Sequence, residues 1–188
     1  MEKDIFTDNP SRQRYDIRFA GSGGQGVILA SVVMAQAAVL SGRHTVQSQS
    51  YGPEARGGAC RGEVIISDNQ IWFPKIILPD VLVVLSAEAA RKYVSDVSEN
   101  ALIIIDSHIK IPDDLKACKV VRIPVLETAA FKLKKPMTAN MAAAGAVNAL
   151  LNLFDQKVLE EGIRRHVPAE TFDLNIKAME AGMRLVTL

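Results

Sequence analysis

Tyr15-Asp16-Ile17-Arg18-Phe19-Ala20-Gly21-Ser22-Gly23-Gly24-Gln25-Gly26, running on into the apolar stretch Val27 to Leu40, decides the fold. Residues 15–20 alternate as a first strand, and 27–40 is an apolar segment of helix length. Downstream, Ser41-Gly42 stops the helix and His44 to Gln49 reads as a second strand. Tyr51 to Gly62, rich in glycine and holding one proline, reads as a loop. Glu63 to Ser67 and Gln70 to Phe73 read as a small hairpin around Asp68-Asn69. The pattern then changes to continuous aliphatic runs at Val81 to Leu85, Leu102 to Asp106 and Val120 to Ile123. Such runs are expected where helices cover both faces of a parallel sheet. Helical spacing occupies Ala87 to Val97, Ala139 to Phe154, Gln156 to His166 and Ala169 to Arg184. Strand–helix alternation predicts an α/β fold: an open, mainly parallel sheet, Rossmann-like and three-layered, with a glycine-rich loop and a small hairpin after the second strand. Residues 1–14 form a polar lead and 15–188 a single domain, without internal repeat or linker.

Composition narrows the function. The chain has 188 residues, 48% hydrophobic and 23% charged, as in ordinary globular proteins. A net charge of +1 and an aromatic share of 5% give no basic or stacking surface for nucleic acid. Two cysteines, Cys60 and Cys118, cannot alone build an iron–sulfur cluster or a tetrahedral zinc site. Free thiols, a start without an apolar leader and no span long enough for a bilayer predict a cytoplasmic protein without membrane contact.

Gly21-x-Gly23-x-x-Gly26 between a strand and a helix matches the dinucleotide-binding fingerprint. Gly21, Gly23, Gly24, Gln25 and Gly26 are therefore candidate cofactor contacts, because a helix N-terminus offers unpaired N–H groups to an anion. The fingerprint also asks for an acidic residue roughly 20 positions on, to hold a ribose hydroxyl. That region reads His44-Thr45-Val46-Gln47-Ser48-Gln49-Ser50, with neither Asp nor Glu. A stand-alone NAD- or FAD-binding oxidoreductase domain is thus a rival reading. The plainer alternative is that the glycines let the first helix pack on the sheet.

Two blocks carry a resemblance. Phe19-Ala20-Gly21-Ser22-Gly23-Gly24-Gln25-Gly26-Val27-Ile28-Leu29-Ala30 resembles the opening of the γ subunits of 2-oxoacid:ferredoxin oxidoreductases. Ser50-Tyr51-Gly52-Pro53-Glu54-Ala55-Arg56-Gly57-Gly58-Ala59-Cys60-Arg61-Gly62-Glu63-Val64 is similar to that family's other hallmark, most of all in its 2-oxoglutarate-type branch. Asn140-Met141, leading into a helix with Gly145, is a weaker third match. The resemblance implies a subunit of an enzyme that decarboxylates a 2-oxoacid with CoA, giving acyl-CoA and CO2 and passing electrons to ferredoxin. It implies thiamine diphosphate, magnesium, [4Fe-4S] clusters and CoA handled through partner α and β subunits, with or without a δ. Pyruvate, branched-chain oxoacids and indolepyruvate are alternative substrates, and a homodimer is an alternative state of the isolated chain.

Within the second block, Tyr51, Gly52, Arg56, Gly57 and Gly58 are candidate cofactor contacts. Glycines let backbone N–H groups approach a phosphate, and a guanidinium adds a bidentate partner. Arg56 has a bland alternative in ordering the loop with Glu54, and Tyr51 in loop packing; Arg61 reads as a weaker candidate or a solvated strand residue. Asp106-Ser107 follows a buried strand and reads first as a cap. Lys132, Lys134 and Lys135 read as a wet basic face. His44, His108 and His166 lack metal-ligand spacing, and no catalytic residue or metal site is assigned. The apolar helix 27–40 and the alanine-rich helix 139–154 are expected to be buried, in part against another subunit.

Overall fold

The computed structural model describes residues 12–50, 58–111 and 119–186. Its strands are β1 (Arg14–Ser22), β2 (His44–Ser50), β3 (Ala59–Ser67), β4 (Val81–Val84), β5 (Leu102–Asp106) and β6 (Lys119–Ile123). They form one six-stranded sheet in the order β2-β3-β1-β4-β5-β6. β1, β4, β5 and β6 pair in parallel, while β3 runs antiparallel to both β1 and β2. Only β3 is reversed, so the sheet is mainly parallel.

The hairpin expected at Asp68-Asn69 is corrected. β3 has both edges taken, with Ser67 level with Arg14 on β1 and His44 on β2. No edge is left for residues 70–73, which form no strand. Asp68 and Asn69 bind Gln13 instead, by the Asp68 N–H donating to the Gln13 carbonyl at 2.9 Å and the Asn69 amide to the Gln13 side chain at 2.7 Å. The antiparallel pair is β2 with β3, so Ala59 to Gly62, expected as loop, are strand. The strand expected at Val120 to Ile123 is present, but as an exposed edge rather than a buried run.

Helix α1 (Val27–Leu40) fills the predicted span without change. The others are α2 (Ala87–Tyr93), α3 (Val125–Glu127), α4 (Ala139–Leu151), α5 (Gln156–Arg164) and α6 (Phe172–Arg184). α3 continues through a π-helical turn, Thr128–Lys132, in a stretch to which periodicity assigns no helix. On one face, Ile17, Phe19, Val64, Ile66, Val83 and Ile104 pack beneath α1, α4, α5 and α6. On the other, Ala20, Leu82, Val84, Ile103 and Ile105 meet Ala89, Ala90 and Tyr93 of α2, with Val94 and Ile109 beside them. The layers are therefore three but unequal.

The alanine-rich helix does not face outward: residues 139–148 of α4 are all buried within the chain itself. A Cβ at Gly145 would meet the Met179 carbonyl, and one at Gly182 the Ala142 carbonyl. Two glycines thus let α4 and α6 cross at backbone contact. α1 is less enclosed than its composition suggests; Val39 is 56% exposed. Among the described residues no helix is long and apolar enough to cross a membrane.

Candidate functional site at the carboxyl edge of the sheet

Ligands of open α/β sheets collect at the carboxyl ends of the strands, where successive connections diverge. Here β1 leads through α1 to the β2 side, while β4 lies on its other flank. The loop after β1 is held from within by Gln25. Its Oε1 accepts from the Ser22 N–H at 2.7 Å, and its Nε2 donates to the Leu85 carbonyl at 2.8 Å. The side chain therefore staples the end of β1 to the end of β4. Gly26, φ 69°, caps α1 in the left-handed region, and Gly24 has φ 89°. Such angles cost a residue with a Cβ roughly 1 kcal/mol or more. Asn140 donates to the Gly26 carbonyl at 3.2 Å, and a Cβ on Gly26 would collide with that amide.

The start of α1 has no side-chain cap and no acidic residue in its first turn. Gly23 and Gly24 before it are exposed. An uncapped helix start, with the positive end of its dipole beside exposed glycines, is an arrangement that attracts anions. The next two strand ends differ. Ser86 caps α2, accepting from the Ala89 N–H at 3.1 Å. Asp106, 1% exposed, accepts from the Leu126 N–H at 2.8 Å and the His108 N–H at 3.0 Å. Capping, the first reading of Asp106, is what the structure shows. In the first turn of α2, Glu88 is held below the ordinary carboxylate range, chiefly by its own backbone N–H and then by Arg91.

The second glycine block returns to the same edge. Ser50, which ends β2, lies level with Arg61, and Ala59, which starts β3, lies level with Ser22. Gly58 therefore flanks the end of β1, where Gly21 lies, and the loop of Gly23, Gly24, Gln25 and Gly26. Tyr51, Gly52, Arg56 and Gly57 lie outside the described residues, between these two anchored ends. Gly62 sits where β3 passes α1, since a Cβ there would come within 2.8 Å of the Ile28 Cα.

Arg61 is no solvated strand residue. Its guanidinium stands over the Tyr93 ring at 5.8 Å, its Nε is buried, and the Glu63 carboxylate is 3.8 Å away. Beneath it lies a group that sequence patterning passed over. Arg18, 1% exposed, donates to Glu63 at 2.7 Å and to the Asp96 carboxylate at 3.2 Å, and stacks on Tyr93 at 5.4 Å. Ser48 donates to the second Glu63 oxygen at 3.3 Å. Alternation had marked Arg18 only as the polar phase of a first strand. Asn140 belongs to the weaker third match, but its contact with Gly26 spans 114 residues and leaves no local signal.

Lys132, Lys134 and Lys135 are exposed. Among the described residues, His108 pairs with Asp106 and, at 3.9 Å, with Glu127. Among the described residues no three His, Cys, Asp or Glu side chains are grouped to hold a metal ion. For a dinucleotide the crevice is unfavourable: Gln25 bridges it and β2 carries no acid.

Similarity to known proteins extends over nearly the whole chain. The family described as pyruvate ferredoxin/flavodoxin oxidoreductase matches residues 16–185. The 2-oxoglutarate synthase subunit KorC of Methanocaldococcus jannaschii is 41% identical over 174 residues, covering 91% of this chain and 93% of that one. The ketoisovalerate oxidoreductase subunit VorA of Methanothermobacter marburgensis is 32% identical over 178 residues, covering 93% of this chain but 37% of its own. Among solved structures, the γ subunit of a keto/oxoacid ferredoxin oxidoreductase from Geobacter sulfurreducens PCA superposes with a TM-score of 0.79 at 40% identity, covering 90% of this chain and 96% of that one.

Proposed function

The chain belongs to the pyruvate ferredoxin/flavodoxin oxidoreductase family, and from that premise we propose that it is the γ-type subunit of a 2-oxoglutarate:ferredoxin oxidoreductase. The observation that carries the reading is the near-complete, two-way match to a 2-oxoglutarate synthase subunit at 41% identity. A match over nine-tenths of both chains transfers a subunit's role more securely than a shared fold does. The reaction is oxidative decarboxylation of the 2-oxoacid with CoA, giving acyl-CoA and CO2, with the two electrons passing to ferredoxin.

The described residues suit one of the cofactors. Exposed Gly23 and Gly24 and the uncapped start of α1 fit an anionic group such as the phosphates of CoA. They do not fit thiamine diphosphate with its magnesium, or an iron–sulfur cluster, for which they offer no donor set. We assign those groups to α and β partners and place the complex in the cytoplasm. In this chain, the loop Gly21 to Gly26 and the block Tyr51 to Gly58 form one wall of the CoA site, with Arg56 its cationic member. A guanidinium paired with phosphate there orients CoA without taking part in bond making.

The test is purification of the chain from its native extract, followed by CoA-dependent reduction of a viologen dye with a panel of 2-oxoacids. Co-purification of larger thiamine-containing subunits, with 2-oxoglutarate the preferred substrate, is the expected result. Preference for pyruvate, a branched-chain oxoacid or indolepyruvate would move the assignment within the family. A chain that comes down alone, and melts higher with a dinucleotide, would overturn it.

A further inference from the structure

At the amino edge of the sheet, opposite the glycine loops, residues 68–80 cross from the end of β3 to the start of β4. Both ends of this strap are pinned. Asp68 pairs with Arg43 at 2.7 Å. The Asp80 N–H donates to the Asp16 carbonyl at 2.8 Å, and its carboxylate pairs with Arg12 at 2.7 Å. Ile76, 8% exposed, anchors the middle. Around that anchor the side chains turn outward: Trp72 is 83%, Phe73 52%, Ile77 69% and Leu78 46% exposed.

These four expose roughly 500 Å² of side chain, taking about 200 Å² for each when fully exposed. That is as large as the biggest apolar patch of an ordinary monomer, and such patches mark contact sites. From Gln70 to Pro79 the only charge is Lys75. Aromatic enrichment with charge depletion marks the core of a protein interface, and tryptophan is a frequent hot spot. At about 800 Å² per partner for a stable interface, the patch would supply most of one side's apolar core. In the ketoisovalerate relative the matching region is 37% of one continuous chain. There, the rest of the polypeptide is tied to this unit covalently; a unit supplied as its own subunit needs an apolar surface to hold it.

We propose that Trp72, Phe73, Ile77 and Leu78 form the docking surface for the partner subunit equivalent to the remainder of that longer chain. The inference rests on the subunit reading above. It assigns assembly to the amino edge and leaves the carboxyl edge free for the CoA wall.

Trp72 is the only tryptophan in the chain. The experiment labels this chain alone with 5-fluorotryptophan and reassembles it with the unlabelled subunits of the purified complex. Fluorine NMR should show one solvent-exposed resonance in the free chain that shifts and loses solvent accessibility on assembly. Ile77→Asp should weaken assembly at least tenfold while leaving the free chain's melting temperature unchanged. Normal assembly with Trp72 still exposed, or with Ile77→Asp unaffected, would overturn the docking surface and leave the subunit reading standing. Protection that appears in the isolated chain as its concentration rises would make a second copy the occupant and also overturn it. Failure of the unsubstituted chain to rejoin the complex would defeat the subunit reading itself.

Discussion

The two faces of the sheet are built on different physics. Beneath α1, α4, α5 and α6 the core cluster is apolar, and the α4–α6 crossing is tight enough that two glycines touch opposing backbones. Beneath α2, a helix of only seven residues, the sheet carries the buried Arg18–Glu63 pair, with Asp96, Ser48 and Tyr93 around it. A thin layer cannot exclude polar groups by bulk, so it satisfies them by pairing. One face should therefore fail through shape and the other through charge.

The largest expected loss is on the first face. Gly182→Val would push its side chain into the Ala142 carbonyl, and forced separation of α4 and α6 should cost about 5 kcal/mol or more. Calorimetry or denaturant melts should find the variant largely unfolded; a drop of under about 1 kcal/mol would show that the crossing is not tight. On the other face, Arg18→Met leaves Glu63 buried without its partner and should cost about 3–5 kcal/mol. The double variant Arg18→Met/Glu63→Leu should recover most of that loss. If it melts no higher than Arg18→Met, the face depends on packing rather than charge.

Gln25→Ala sharpens the comparison where both faces meet the edge. It removes two hydrogen bonds to backbone and should cost about 1–3 kcal/mol, with faster amide exchange at Ser22. The smallest effect is expected from Glu88→Gln. The Glu88 pKa is lower folded than unfolded, so its stabilisation is present above the unfolded value and fades as pH falls through the folded one. Melting temperatures of wild type and variant should differ slightly at neutral pH and converge in acid. A gap that widens in acid would reverse the assigned sign.

Local signals carried much of this molecule. Val27–Leu40 and Leu102–Asp106 appear with the ends that periodicity set, because apolar runs bounded by glycine or polar residues are local facts. Gly21 to Gly26 reads as a turn into a helix for the same reason. What was not legible is what depends on pairing between distant segments. The hairpin at Asp68-Asn69 had good turn residues, yet β1 and β2 already held both edges of β3. The Gln25 staple to Leu85 and the Asn140 contact with Gly26 join positions 60 and 114 residues apart. Arg18 looked like one polar residue in an alternating strand, since nothing nearby announces Glu63.

The central claim, that this chain is the CoA-wall subunit of a 2-oxoacid oxidoreductase, is tested most directly by Arg56→Ala in the assembled complex. CoA-dependent 2-oxoglutarate oxidation would be followed beside subunit composition. A charge-assisted phosphate contact contributes about 1.5–3 kcal/mol, so the KM for CoA should rise roughly tenfold to a hundredfold with assembly intact. An unchanged KM for CoA, or loss of the complex itself, would contradict the account.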